Sequence, residues 1–259
     1  MKKTIEIDSE TIDLWFCRPD KINAPHLLSQ YRAILPTIEK EKVDRYKFAR
    51  HRHDALITRA FLREILSTYS HYSSDKWDFD TEENGKPFIR TPKINLKFNV
   101  SHTQGCIICA ITQYDAIGCD VENCLRNNEV LEIATRYFAN RELEQINLLP
   151  DNEKVSRFFD FWTLKESFIK TTGKGLATPL KSFHFNINNE NQPLNTAISL
   201  VIDAGQEENS DFFKSLLFYY NDEHRVALTV KNTNKNKLRL FETRPFESYS
   251  LMDSYELRF

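Results

Sequence analysis

Phe161-Trp162-Thr163-Leu164-Lys165-Glu166-Ser167-Phe168-Ile169-Lys170 carries a helical period. Phe161, Leu164 and Phe168 form an apolar stripe, while Trp162, Glu166 and Lys170, four apart, stack on another side. The stretch predicts a helix with one face in a core and with a carboxylate and an ammonium sharing a second face. Upstream, Gly118-Cys119-Asp120-Val121-Glu122 follows a run from Cys109 through Ile117 that reads as β structure. Side chains two apart on a strand point the same way, so Asp120 and Glu122 make a paired oxygen site.

Each motif alone has a plainer reading. A Glu and a Lys four apart on a helix usually form a solvated pair worth about 0.2–0.5 kcal/mol. Asp-x-Glu at a strand end is often a turn. A third polar cluster, Asn99-Val100-Ser101-His102, also falls at a strand end, before the apolar run Cys106-Ile107-Ile108-Cys109-Ala110-Ile111. Three polar clusters at element ends point to one site, and their carboxylates and lysine suit a metal-assisted reaction on a diphosphate.

The chain has 259 residues and a formal net charge of -2, enough length for a sizeable core and no global charge that asks for nucleic acid. No apolar run is long enough to span a bilayer. Met1-Lys2-Lys3-Thr4 leads into the alternating Ile5-Glu6-Ile7-Asp8 rather than an apolar export signal, so the expectation is a cytoplasmic protein with no membrane partner. The 5 cysteines are Cys17, Cys106, Cys109, Cys119 and Cys124, an odd number that argues against a disulfide framework. A zinc knuckle at Cys106 and Cys109 would need a turn between them, whereas strand alternation puts the two on opposite faces. They read as small buried apolar residues.

Along the chain, a strand is expected around Ile12, Leu14 and Phe16, and a helical region near Pro36 that Thr37-x-Glu39 could open. From Lys40 to Arg63 a local basic cluster runs through Lys42, Arg45, Lys47, Arg50, Arg52 and Arg59. It lacks the interleaved aromatic residues of a nucleic-acid stacking platform. Asn84-Gly85-Lys86-Pro87 marks a turn. A coarse internal echo follows: a helix over about 54–66 precedes Gly85-Lys86-Pro87 and a strand pair ending at Ile111. A helix over about 157–171 precedes Gly173-Lys174-Gly175-Leu176 and strands around Phe183, Leu216 to Tyr220 and Val226 to Val230. The Asn-rich stretch 186–195 reads as a hairpin loop or exposed connection, and the tail after Lys231 carries no readable role.

NVSH at 99–102, GCDVE at 118–122 and FWTLKESFIKTTGKGL at 161–176 resemble the 4′-phosphopantetheinyl transferase superfamily in its long, Sfp-like branch. The likeness covers about Glu39 to Val230. It departs at Cys119, where an aliphatic residue is usual, and leaves the carboxylates untouched. The resemblance implies an α+β fold of two similar α/β halves in a pseudo-twofold arrangement, residues 1–116 and 117–259, in a monomer with the active site at their interface. It implies an enzyme that moves the 4′-phosphopantetheine arm of coenzyme A onto a serine of an acyl, peptidyl or aryl carrier protein, releasing adenosine 3′,5′-bisphosphate. The long branch points to secondary metabolism: nonribosomal peptide, polyketide or siderophore carriers.

The resemblance further implies a Mg²⁺ ion, with Mn²⁺ also acceptable to carboxylate oxygens, held by Asp120, Glu122 and Glu166. Glu166 is the expected general base and Lys170 the group that stabilises the leaving oxygen, with Asp120 the third catalytic residue. Coenzyme A is expected to meet Lys42, Lys86, Ser101, His102 and Lys170. Carrier docking is expected on 123–141, with Arg126, Arg136 and Arg141 among Leu125, Val130, Leu131 and Ile133; an ordinary amphipathic helix over the core is the plainer alternative. A phosphate-binding P-loop is excluded because Gly173-Lys174-Gly175 lacks the required spacing. A non-catalytic coenzyme A-binding module stands as the alternative function.

Overall fold

The computed structural model describes residues 4–125, 130–188, 194–231 and 234–257. Strand β1 (Thr11–Cys17) is buried along its whole length because both its faces are covered. Ile12, Leu14 and Phe16 face one core, and Trp15 and Cys17 face another. Helices α1 (Pro25–Ala33), α2 (Thr37–Asp44) and α3 (Ala49–Thr68) follow, then the pair β2 (Asp78–Thr81) and β3 (Pro87–Thr91), then the hairpin β4 (Leu96–Thr103) and β5 (Cys106–Gln113). Thr37 opens α2 as expected, whereas α3 extends several residues beyond the expected helix at its N-terminal end.

The second half repeats this plan. Strand β6 (Ile117–Asn123) leads through α4 (Val130–Tyr137) and α5 (Asn140–Asn147) to the long helix α6 (Asp151–Thr172). Then come β7 (Phe183–Ile187), β8 (Leu194–Asn195), β9 (Ile198–Ile202) and the hairpin β10 (Lys214–Asn221) and β11 (His224–Val230). In the first sheet β1 pairs antiparallel with β5, which pairs with β4; in the second, β6 pairs antiparallel with β11, which pairs with β10. The same strand order in both sheets, each with a long helix between its first and second strands, makes the two halves alike.

The tail joins the first half. Strands β12 (Lys237–Arg244) and β13 (Ser248–Glu256) complete a sheet of order β13-β12-β1-β5-β4, with β12 parallel to β1. Arg239 on β12 binds Asp13 on β1 through Nε at 2.6 Å. Tyr69 donates to the same carboxylate at 2.6 Å, and Trp15 Nε1 donates to Tyr69. The chain therefore crosses back over the boundary near residue 116, and residues 237–256 pack with the first half.

Alternation along the strands builds four layers, helices, sheet, sheet, helices. Cys106, Ile108 and Ala110 of β5 face Ile117, Cys119 and Val121 of β6 across the inter-sheet core, which Leu216, Val226 and Leu228 complete. Ile107, Cys109 and Ile111 point the other way, onto α3. Cys106 and Cys109 thus lie on opposite faces, as strand periodicity requires. Phe161, Leu164 and Phe168 of α6 sit in the outer core of the second half, each such burial worth roughly 1.5–3 kcal/mol.

Helix α6 is longer than its apolar stripe predicts, because Pro150 starts it and Asp151 and Glu153 in its first turn suit the positive end of the helix dipole. Gly173, at φ 72°, ends it with its N–H on the Ile169 carbonyl. No helix among the described residues is long and apolar enough to cross a membrane.

Candidate active site

Gly118 sets the distance between α6 and β6. A Cβ at this position would overlap the Ser167 carbonyl and the Thr171 amide, so only glycine lets the helix backbone rest on the strand. Hydroxyls tie the same helix face to β11, the neighbour of β6: Thr171 Oγ1 donates to the Thr229 carbonyl at 2.9 Å, and the Ser167 and Thr229 hydroxyls bond at 2.7 Å. Cys119 and Val121 enter the inter-sheet core, so Asp120 and Glu122 point the opposite way, toward α6. Trp162, Glu166 and Lys170 are the half-buried positions in an otherwise buried stretch 157–171, which is the face the helical period predicts.

Asp120 is 4% exposed. Its Oδ1 receives Lys170 Nζ at 2.6 Å and Ser101 Oγ at 2.8 Å, and Lys170 also donates to Ser101 Oγ at 2.9 Å. Lys170 is thus tied to Asp120 across the helix–strand contact. Ser101 arrives from β4 in the first half, which Asn99 pins to β6: the Cys119 amide donates to Asn99 Oδ1 at 2.9 Å. Burial works against the Lys170 ammonium, but the charge and hydrogen bond of Asp120 outweigh it and raise its pKa. Burial, then the Asp120 charge, raise the pKa of Glu166.

Two cavities flank this cluster, and β4 runs from one to the other. The first, about 250 Å³, is lined by Lys86, Pro87, Asn99, Glu166, Lys170 and Gly173 among others. The second, about 360 Å³, is walled by Tyr46, Arg50, His51 and Asp54 from the α2–α3 region and by His102 and Gln104. His102 is open to solvent on one side; desolvation by the surrounding walls, then the Lys170 and Arg59 charges, push its pKa down.

The expected site residues are distributed unevenly over this geometry. Ser101, Asp120 and Lys170 are in direct contact, and Glu166 and Lys86 share a cavity with Lys170. Glu122 is half-buried two residues beyond Asp120 on the same strand face. The Lys86 ammonium is held by the Ile117 and Thr171 carbonyls, both at 3.1 Å, and ties the β2–β3 turn to both β6 and α6. Burial lowers its pKa. Lys42 is exposed on α2 and does not line the His102 cavity; Tyr46, Arg50 and His51 do. The sequence shows that wall only as a basic cluster, although Arg50 and Asp54 are spaced to share a helix face.

Lys165 carries no signal in the sequence beyond its place in the helix. It is fully buried, with Nζ 2.9 Å from Glu142 and donating to the Leu180 and Phe183 carbonyls at 2.8 and 2.7 Å. It fastens α6 to α5 and to the start of β7. On α4, Val130 and Ala134 enter the core while Leu131, Arg136 and Tyr137 face solvent. Arg126 lies outside the described residues, as do positions 189–193 of the Asn-rich stretch.

A divalent cation fits the carboxylates on one observation. Asp120 Oδ2 is buried with no hydrogen-bond partner, and Glu166 is close enough to feel its charge. An unpaired buried carboxylate oxygen is costly unless a cation takes it. Among the described residues no three His, Cys, Asp or Glu side chains stand together as a ready cage; Lys170 supplies the positive charge at Asp120 here.

A family model described as the 4′-phosphopantetheinyl transferase superfamily matches residues 116–229. A second, described as 4′-phosphopantetheinyl transferase, N-terminal, matches 23–113. The chain is 34% identical over 171 residues to the 4′-phosphopantetheinyl transferase HetI of Nostoc sp., covering 65% of this chain and 71% of that one. It is 33% identical over 166 residues to the 4′-phosphopantetheinyl transferase Sfp of Bacillus subtilis, covering 63% and 71%. It is 27% identical over 223 residues to the L-aminoadipate-semialdehyde dehydrogenase-phosphopantetheinyl transferase of Mus musculus, covering 80% and 70%. The solved Thermotoga maritima holo-[acyl-carrier-protein] synthase superposes with a TM-score of 0.35 at 18% identity, over 55% of this chain and 82% of that one. By the two family models and the HetI relative, and by the NVSH, GCDVE and WTLKESFIK segments that meet around Asp120, the chain belongs to the 4′-phosphopantetheinyl transferase superfamily.

Proposed function

We propose that this protein transfers the 4′-phosphopantetheine arm of coenzyme A to a serine hydroxyl of an apo carrier protein, releasing adenosine 3′,5′-bisphosphate. The observation that carries the reading is the meeting of Ser101, Asp120 and Lys170 between two cavities, with Glu166 beside them and one Asp120 oxygen without a partner. The His102 cavity, with Arg50 and His51 in its wall, suits the adenosine phosphates. The Lys86 cavity, with Glu166 and Lys170 in its wall, suits the reacting end.

Asp120, Glu122 and Glu166 would hold Mg²⁺ or Mn²⁺ through hard oxygen donors, and the ion would neutralise charge on the diphosphate oxygens. Glu166, whose raised pKa brings it toward the working range of a base, accepts the proton of the attacking serine directly or through a water. The new bond joins the serine oxygen to the phosphorus that bears the pantetheine arm; the diphosphate P–O bond breaks, and its electron pair leaves with the adenosine bisphosphate. Lys170, kept charged by Asp120, stabilises that leaving oxygen. Ser101 holds Lys170 and Asp120 in one geometry, its hydroxyl donating to the carboxylate and accepting from the ammonium.

The carrier, of the acyl, peptidyl or aryl type and drawn from secondary metabolism, docks on α4 in this reading. Leu131, 40% exposed, with Arg136 and Tyr137, forms a small apolar and basic surface of the kind that meets an acidic partner helix. Release of adenosine 3′,5′-bisphosphate from coenzyme A, followed by chromatography, tests the reading. It should need both the carrier and the divalent ion; release independent of the carrier would refute it.

A further inference from the structure

A second contact joins the halves away from Asp120. His224, the first residue of β11, is 2% exposed and lies against the β4–β5 turn of the first half. Its Nε2 meets the Gln104 carbonyl at 2.8 Å. A carbonyl only accepts, so Nε2 is the donor. Its Nδ1 faces Asn221 Oδ1 at 2.9 Å, and that oxygen takes the backbone N–H groups of Glu223 and His224, so the ring packs against a fixed turn of its own half. Asn123, paired with His224 across the β6–β11 ladder, donates to the same Gln104 carbonyl at 3.4 Å. Gly105, at φ 83°, completes the turn, and a Cβ there would stand 3.6 Å from the His224 ring.

Gln104 is a partition. On one side it lines the His102 cavity; on the other it lines a cavity of about 630 Å³ whose wall includes Arg18, His53, Asn123, Glu223 and His224. His102 is two residues before Gln104 on the same strand end, and Asn123 is one residue beyond Glu122. The carbonyl that His224 holds therefore fixes how the His102 wall stands against the strand that carries Asp120 and Glu122. We propose that His224 is a positioning residue for coenzyme A, holding the Gln104 carbonyl from the opposite half and so setting the His102 wall. This rests on the functional reading above, in which coenzyme A is the ligand of that cavity.

Two replacements separate positioning from plain core packing. Gln puts an amide nitrogen where Nε2 stands and keeps the bond across the halves. Asn puts one where Nδ1 stands and keeps only the contact within its own half. On the full-length chain, coenzyme A affinity by calorimetry, amide hydrogen exchange at 103–106 and thermal melting are measured together. His224→Asn should weaken coenzyme A binding about three- to tenfold, the worth of one hydrogen bond, and speed exchange at the turn, while His224→Gln stays near the unaltered protein. Equal losses in the two variants, or no loss in either, would overturn the inference. Should both ring variants fail to fold, Asn123→Asp turns the second donor into an acceptor against the same carbonyl; weaker coenzyme A binding supports the inference and unchanged affinity overturns it. Failure of the unaltered protein to bind coenzyme A would overturn the functional reading, and this inference with it; failure in the variants' pattern alone would overturn only the inference.

Discussion

Ser101 Oγ on β4 donates to Asp120 Oδ1 on β6 at 2.8 Å, so one hydrogen bond spans the two halves at the centre of the candidate site. Lys170 binds both atoms. A bond to a charged group is worth about 1.5–3 kcal/mol, so Ser101→Ala should cut kcat/KM by about ten- to a hundredfold. Ser101→Thr, which keeps the hydroxyl, should recover most of it. Steady-state kinetics with coenzyme A as the varied substrate check both.

Glu166→Gln should be the most damaging single change, because it removes both a base and a cation ligand. A loss of about a hundredfold to ten-thousandfold in turnover at saturating Mg²⁺ is expected, with Asp120→Asn similar. Near-normal turnover of Glu166→Gln would remove both assignments.

Gly118→Ala tests the helix–strand contact. The added methyl meets backbone atoms of Ser167 and Thr171 that cannot rotate away. Overpacking of this kind costs about 1–3 kcal/mol, and here it also lifts Glu166 and Lys170 from Asp120. The variant should melt earlier and lose turnover together, whereas a melting shift with full activity would show that the helix seat does not set the site.

Lys165→Met should cost about 3–5 kcal/mol in chemical denaturation, because it strands the buried Glu142 carboxylate. Pairing it with Glu142→Leu should restore much of that stability. Additive losses in the double variant would contradict the account.

The pKa of His102 is held down by desolvation and by the Lys170 and Arg59 charges, so the free ring is neutral over a wider range of pH than an ordinary histidine. A bound phosphate favours the charged ring, so binding takes up a proton and coenzyme A affinity falls as pH rises. Calorimetry in buffers of different ionisation enthalpy should show that uptake, and His102→Gln should abolish it.

Local periodicity carried the reading of the site. The two-residue spacing of Asp120 and Glu122 and the four-residue spacing of Trp162, Glu166 and Lys170 each survive as one face of one element. What periodicity cannot carry is a partner distant in the chain. Asp13 and Arg239 are 226 residues apart, so nothing near residue 239 shows that the tail completes the first sheet. Lys165 looks like any helical lysine until Glu142 and two carbonyls surround it. Lys42 and Arg50 both belong to a basic run, and the packing of α2 and α3 decides that Arg50, with Tyr46 and His51, lines the cavity.

The most direct test of the transfer is the intact mass of an apo peptidyl carrier protein after incubation with this protein, coenzyme A and Mg²⁺, beside a chelator control and Glu166→Gln. The carrier should gain the mass of one phosphopantetheine arm, a gain lost with the chelator and nearly lost with Glu166→Gln. No gain on peptidyl, acyl or aryl carriers, despite measurable coenzyme A binding, would contradict the transfer and leave a coenzyme A-binding module.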